Sequence, residues 1–309
     1  MALENVLESG TRVGNYTIDR LLDMGSFSQV YLGYSEDNEK VVLKVARSHG
    51  GKLNWDRLRY VKQVMSYGEG IILGNNGFTK TTLDQRGTNS LLEEEFKKTR
   101  IPADSDLIVR ASEIFVAEGK KVLVLPYAEG YTLRNILDDD CGIKWKWFSQ
   151  IARELKDAKD EYGFYHGDVK PENIIITKEG RGKLIDPAVK IKWKGNTVQT
   201  MTPRYNPFLF EGEKADVAAL GMVMYESVTG EVPFDKVPWE YAGKIRKLDR
   251  EWKLELAYYL SFPPVEEVEN WSKDKTRLFN RVVRWSVDPT ARYKYADMLR
   301  DMQFLMDKR

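Results

Sequence analysis

The stretch FYHGDVKPENIIIT, residues 164–177, constrains this chain more than any other. It sets Asp168, Lys170 and Asn173 at short fixed spacings in a loop. That loop follows the amphipathic run KWFSQIARELKDAKDEYG (146–163) and leads into a short apolar strand. A second strand, in GKLIDPAVKIK (182–192), brings Asp186 thirteen residues past Asn173, across one turn at KEGRG. Polar groups gathered between a helix and a β-hairpin are costly unless they are paired or given a task. Their chemistry is specific. Asp168 can accept a proton from a hydroxyl nucleophile, and Lys170 can neutralise charge developing on a transferred phosphoryl group. Asn173 and Asp186 offer the hard oxygen atoms that Mg²⁺ requires.

The segments before and after this stretch differ in character. NYTIDRLL, SQVYLGY and KVVLKVA, in the first third, are rich in β-branched and aromatic residues, with the turn SEDNE (35–39) between the second and third. Residues 105–130 predict two more strands around Glu118-Gly119-Lys120, and LLEEEFKK (91–98) predicts a helix between the strand groups. Helices dominate afterwards. TLRNILDD and 146–163 are followed by ADVAALGMVMYESVTG (215–230), which is apolar nearly all round and so reads as a buried helix. Strands first and helices later predict an α+β fold with a β-rich lobe and a mainly helical lobe. The expected division is 1–127 and 128–309. Residues 48–90 read as an insert: Trp55, Leu58, Val61, Val64 and Met65 at near-helical spacing, then a hairpin turning at Asn75-Asn76-Gly77. This insert is either a surface embellishment or a regulatory or partner-binding element.

Composition limits the partners. Lys+Arg at 48 balance Asp+Glu at 47, so neither nucleic acid nor an anionic membrane is expected. The single cysteine, Cys141, excludes an internal disulfide framework and suits a reducing compartment. MALENVLESG lacks the pattern of a signal peptide, and no apolar run approaches the roughly 20 residues of a membrane helix. A cytoplasmic location is the resulting expectation.

LLDMGSFSQVYLG (21–33) and VVLKVA (41–46) add a nucleotide signal. A turn at Gly25-Ser26-Phe27 lets backbone N–H groups approach a phosphate, and Lys44 on the next strand can reach the same group. With HGDVKPEN and Asp186, the chain resembles a Hanks-type, eukaryotic-like Ser/Thr protein kinase over residues 12–305. The resemblance implies a bilobal protein-kinase-like fold, with ATP and Mg²⁺ (or Mn²⁺) as cofactors and a protein as substrate. It implies catalytic roles for Asp168, Lys170, Lys44 and a helix C glutamate, Glu95 by its count and Glu94 as the alternative. Metal would be held by Asn173 and Asp186. Nucleotide would be met by Leu22, Gly25, Ser26, Phe27, Val30, Val42 and Lys44, then by Leu125, Pro126, Tyr127, Ala128, Glu129 and Ile175. Asp216 in the buried helix would hold the catalytic loop, Thr202 would brace it, and Arg292 would be the late structural arginine.

The departures from the family pattern are local. Asp23 and Ser28 stand where two glycines of G-x-G-x-x-G belong, and Val42 replaces the usual alanine. Gly167 replaces the arginine of H-R-D, which implies activity that does not depend on gripping a phosphorylated activation segment. Lys190, Lys192 and Lys194 in that segment are either contacts for an acidic substrate or solvated charges. Pro187-Ala188 replaces Phe-Gly after Asp186. Proline biases Asp186 towards an extended backbone, and alanine resists positive φ, so a stiff segment is expected. The alternative to a kinase is a pseudokinase acting as a nucleotide-binding or allosteric interaction module.

Overall fold

The computed structural model of the chain describes residues 6–25, 27–47, 71–74, 77–80, 83–102, 104–139, 144–206, 210–231, 264–288 and 290–307. Ser26, Cys141, Asn75, Asn76 and positions 48–70 of the insert lie outside the described residues. The chain divides into two compact units. One takes in Met1–Ile101, Val109–Ala128 and Ala188–Met201, the other Pro102–Ile108, Glu129–Pro187 and Thr202–Arg309.

In chain order the strands begin with β1 (Arg12–Val13), β2 (Tyr16–Met24), β3 (Ser28–Tyr34) and β4 (Lys40–Ala46). The hairpin β5 (Ile71–Gly74) and β6 (Gly77–Lys80) leads to helix α1 (Gln85–Thr99), then β7 (Glu113–Ala117) and β8 (Lys120–Pro126). Next come β9 (Gly130–Thr132), α2 (Leu133–Asp138), α3 (Trp145–Tyr162), β10 (Ile174–Thr177) and β11 (Gly182–Leu184). The chain continues through β12 (Lys190–Trp193), β13 (Asn196–Gln199), α4 (Glu213–Thr229), α5 (Lys273–Val287) and α6 (Tyr295–Asp307).

The first unit is built on an antiparallel sheet in the order β1-β2-β3-β4-β8-β7. Alternation decides its two faces. Tyr31, Val41, Leu43, Val45, Val122 and Val124 point one way and pack with Leu7, Val13 and Ile18. Their neighbours point the other way: Val30 opposite Lys44, Lys44 opposite Leu123, and Val42 opposite both Leu32 and Leu125. Helix α1 starts at Gln85, six residues earlier than its apolar run indicates. Asp84 caps it by accepting from the N–H groups of Arg86 and Gly87 at 3.0 and 3.1 Å. The polar first turns hide this start from any periodicity count.

A second sheet in this unit, in the order β12-β13-β5-β6, was not legible in advance. Lys194 and Gly195, at φ 47° and 79°, make the two-residue turn that joins β12 to β13. The hairpin expected at Asn75-Asn76-Gly77 is present as β5 and β6.

The second unit is helical around the small sheet β11-β10-β9. Phe148, Ile151, Ala152, Leu155 and Ala158 form the buried stripe of α3, which ends at Gly163 in the left-handed conformation, φ 63°. Helix α4 is buried from Ala215 to Glu226, as its all-round apolar sequence requires. Trp145, Trp271 and Phe279 pack with ring centroids 5.4 to 5.6 Å apart. Arg292 is exposed and makes no ion pair among the described residues. Among them, too, no helix is long and apolar enough to cross a membrane.

Lys214, in the first turn of α4, lies 5.3 Å over the Phe210 ring and donates to the Trp285 carbonyl at 3.2 Å. Burial lowers its ammonium from 10.5 to about 8, against a smaller opposing pull from Asp288. Between those values the unfolded chain keeps a proton that the folded chain gives up, so stability contributed by this site rises with pH. Lys214→Met is expected to be the more stable protein at pH 7, by about 1–2 kcal/mol once solvent screening of this partly exposed group is allowed for, with the gap closing by about pH 10.5. Urea midpoints of the two proteins across that range check it. A pH-independent gap would reject the burial argument.

Candidate active site

Within the β-rich unit, the site begins with the sheet face opposite the apolar core of Leu43 and Val45, the face that carries Val30, Val42, Lys44 and Leu125. Helix α1 supplies its partner. Glu93, Glu94 and Glu95 are consecutive, and 100° per residue sends them in three directions. Glu93 bonds Lys121, Glu94 meets Lys97 at 2.6 Å, and Glu95 turns inward with Leu91, Leu92 and Thr99. Its carboxylate accepts from Lys44 Nζ at 2.6 Å, with both side chains buried. A buried charge pair of this kind is costly to break from one side, by about 3–5 kcal/mol.

The nucleotide-loop residues are placed unevenly. Leu22 is exposed on β2, Gly25 is half-buried, and Phe27 packs against Leu83, Leu91, Val189, Ile191 and Val198. A Cβ on Gly25 would meet only the Ser28 carbonyl at 3.6 Å, an ordinary contact, so the fold itself does not require glycine there. Arg47 donates to the Gly25 carbonyl at 3.3 Å. At the end of β8, Leu125 is buried and Pro126 exposed, while Tyr127 and Ala128 are half-buried. The Tyr127 N–H is spent on the Lys40 carbonyl at 3.3 Å.

Within the helical unit, the loop 166–173 is held from below by Asp216, which is fully buried. Its carboxylate accepts from the N–H of His166 at 2.8 Å, the N–H of Gly167 at 2.6 Å and the Tyr295 hydroxyl at 2.9 Å. Burial and the neighbouring Asp216 charge raise the Tyr295 phenol well above its ordinary range, so it remains a donor. Gly167 has φ 82°, a conformation in which the family's arginine would be strained. His166 Nε2 lies 2.9 Å from the Ile185 carbonyl, and its Nδ1 accepts the Asp168 N–H at 3.3 Å. That pattern selects the neutral Nε2–H tautomer.

Asp168 is restrained at both oxygens. Oδ1 accepts the Thr202 N–H at 2.6 Å, and Oδ2 lies 3.3 Å from both Lys170 Nζ and Asn173 Nδ2. Lys170 also donates to Thr202 Oγ1 at 2.8 Å. Burial alone would lower the Lys170 ammonium, but Asp168, then Glu172 and Asp186, outweigh it and hold its pKa above the ordinary value. Asn173 turns its amide nitrogen to the Asp168 carbonyl at 2.9 Å, leaving its oxygen end to act as a ligand. Asp186 has φ 57°, so the expected extended backbone is wrong. Tertiary bonds override the proline bias: Ile185 N–H reaches the Asn173 carbonyl at 3.0 Å, and Asn173 Nδ2 donates to the Asp186 carbonyl at 3.4 Å. The left-handed turn thus falls on aspartate, which tolerates it better than the alanine two residues on.

Glu129 is exposed and bonded to Lys178 at 2.8 Å, and Ile175 sits mid-strand in β10 between Thr132 and Lys183. Sequence reasoning missed the guanidinium of Arg134, which reaches Glu226 at 2.7 Å, Glu172 at 3.0 Å and Tyr205 at 3.0 Å. Tyr205 in turn donates to Glu226 at 2.6 Å. This network ties the loop 166–173 to α2 and α4. Nothing in the local pattern marks Arg134, because its partners are far away in sequence.

Asn173 and Asp186 each carry a hard oxygen of the kind that fits Mg²⁺, which keeps several waters and takes only one or two protein carboxylates. Among the described residues, no group of three His, Cys, Asp or Glu side chains gathers that could hold a metal ion.

The family model described as Protein kinase domain matches residues 79–304. The chain is 26% identical over 253 residues to CBL-interacting serine/threonine-protein kinase 2 of Arabidopsis thaliana, covering 76% of this chain and 48% of that protein. It is 35% identical over 127 residues to serine/threonine-protein kinase PknB of Mycolicibacterium smegmatis, covering 36% of this chain and 20% of that one. The chain therefore spans less than half the length of either relative. Among solved structures, PpkA-294 in its apo form is similar in fold, with a TM-score of 0.60 at 16% identity, covering 98% of this chain and all of that one.

Proposed function

The chain belongs to the protein kinase domain family, and from that premise we propose that it transfers the γ-phosphoryl group of ATP to a serine or threonine hydroxyl of a protein. In this reading the hydroxyl oxygen bonds the γ-phosphorus and its proton passes to Asp168. The bond from the γ-phosphorus to the β–γ bridging oxygen breaks, and ADP leaves. Lys170 stabilises charge on the phosphoryl group in flight, and Lys44, held by Glu95, positions the α- and β-phosphates. Asn173 and Asp186 would hold Mg²⁺, which neutralises phosphate charge when bound. Val30, Val42 and Leu125 would line the adenine site. Gly25, whose glycine the fold does not itself need, would let backbone approach a phosphate.

The observation that carries the reading is the Asp168 carboxylate, fixed at both oxygens beside a lysine whose positive charge is reinforced. Such chemistry depends on positioning and electrostatics, and every charged group it needs is present in the sequence. The departures at Ser28, Val42 and Pro187 replace none of these groups.

Incorporation of labelled phosphate from ATP into a mixed Ser/Thr peptide library tests it. Lys44→Met is expected to reduce transfer by on the order of 10²–10³-fold, and removal of Mg²⁺ to abolish it. Equal labelling by wild type and Lys44→Met would overturn the assignment and leave an interaction module in its place.

A further inference from the structure

The sheet β12-β13-β5-β6 joins two parts of the chain that local sequence gives no reason to join. β12 and β13 are the hairpin of the activation segment, and β5 and β6 close the insert that precedes α1. A hairpin of two four-residue strands is marginal in isolation. Strand β13 avoids that weakness because both its edges are used. Thr197 pairs with Lys192 and Leu73, Val198 with Ile191 and Ile72, and Gln199 with Lys190 and Ile71.

Side-chain anchoring adds to this on the same segment. Val189, Ile191 and Val198 are buried with Leu83 and Leu91, the latter on α1. Lys98 of α1 donates to the Ala188 carbonyl where the segment enters. Val189 and Thr200 exchange two hydrogen bonds at its exit, at 2.8 and 2.9 Å. Two residues further along the chain is Thr202, whose N–H restrains Asp168 and whose hydroxyl receives Lys170. The position from which an arginine could grip a phosphate is Gly167.

We propose that the β5–β6 hairpin is a built-in holder of the activation segment. By adding a strand to β13 it keeps the segment extended, and through Thr200-Met201-Thr202 it positions the N–H that orients Asp168. Strand pairing does here what a charged clamp on a phosphate would otherwise do. The residues of β5 are positioning residues, and their effect on rate rests on the phosphotransfer reading.

Replacing residues 71–80 in the full chain by a Gly/Ser linker of equal length removes the added strands. Hydrogen exchange of residues 190–199 is expected to quicken by about 10²-fold, whereas β4 and β8 stay protected. In the same variant kcat is expected to fall at least about tenfold with KM for ATP unchanged. Leu73→Pro and Ile72→Pro, made separately, are milder versions, since proline at one of the two removes a donor facing β13. Unchanged exchange at 196–199 in the linker variant and both proline variants overturns the holder. Quickened exchange with unchanged kcat overturns the link to Asp168. The exchange measurement does not depend on activity: a wild type that transfers no phosphate, yet shows the exchange difference, removes the kinase reading and the rate effect but supports the holding role.

Discussion

Asp168→Asn is expected to lower kcat by about 10²–10⁴-fold while ATP binding stays within a few-fold of wild type. The amide has nearly the shape of the carboxylate, so its oxygen can still accept the Thr202 N–H that Oδ1 accepts at 2.6 Å. It cannot take a proton from a hydroxyl, and it no longer offers Lys170 a negative partner at 3.3 Å. The loss therefore falls on chemistry rather than on ground-state binding, which appears as kcat and kcat/KM declining together. Steady-state rates with a Ser/Thr peptide, alongside thermal shift with ATP and Mg²⁺, separate the two. A kcat within threefold of wild type would remove Asp168 from the base role.

The second large effect concerns stability. Asp216→Ala is expected to cost about 3–5 kcal/mol, because it strands three donors in a fully buried place, each worth about 1–3 kcal/mol when left without an acceptor. Those donors are the N–H groups of His166 and Gly167 and the Tyr295 hydroxyl. Gly167 needs that support most. Its left-handed φ of 82° allows the loop to turn, but glycine loses more chain entropy on ordering than any other residue. Tyr295→Phe removes one donor without orphaning the others and is expected to cost about 1 kcal/mol. Urea unfolding of the three proteins gives the comparison. An Asp216→Ala midpoint indistinguishable from wild type would show that the loop is held elsewhere.

Much of this molecule was legible before folding was considered. Strands β2, β3 and β4 announced themselves by β-branched alternation and a turn-rich SEDNE, and α4 by apolar residues on every side. Gly163 closed α3 where a left-handed residue was needed. The clustering of Asp168, Lys170 and Asn173 was readable because they lie within one loop, where spacing along the chain nearly is spacing in space. Helix α1 was readable only in part, since Gln85-Arg86-Gly87-Thr88-Asn89-Ser90 carries no apolar period. The hairpin at Lys194-Gly195 carries only a short signal, two four-residue runs around a glycine, with lysines interrupting their apolar pattern.

Distant contacts decided one open choice in favour of the expected residue and overturned one local expectation. The choice among Glu93, Glu94 and Glu95 needed the orientation of α1 against the sheet, set by packing of Leu91 and Leu92. The backbone at Asp186 followed hydrogen bonds to Asn173 instead of the preference imposed by Pro187. Sequence by itself determined which polar groups share one loop and which segments become strand or helix, because both depend on neighbours a few residues apart. Only the tertiary structure decided that Lys44 meets Glu95, that Arg134 gathers Glu172, Tyr205 and Glu226, and that β5 completes the sheet of β13. Those pairings are chosen by burial and by the need to satisfy every backbone donor, and neither constraint exists until the chain has folded.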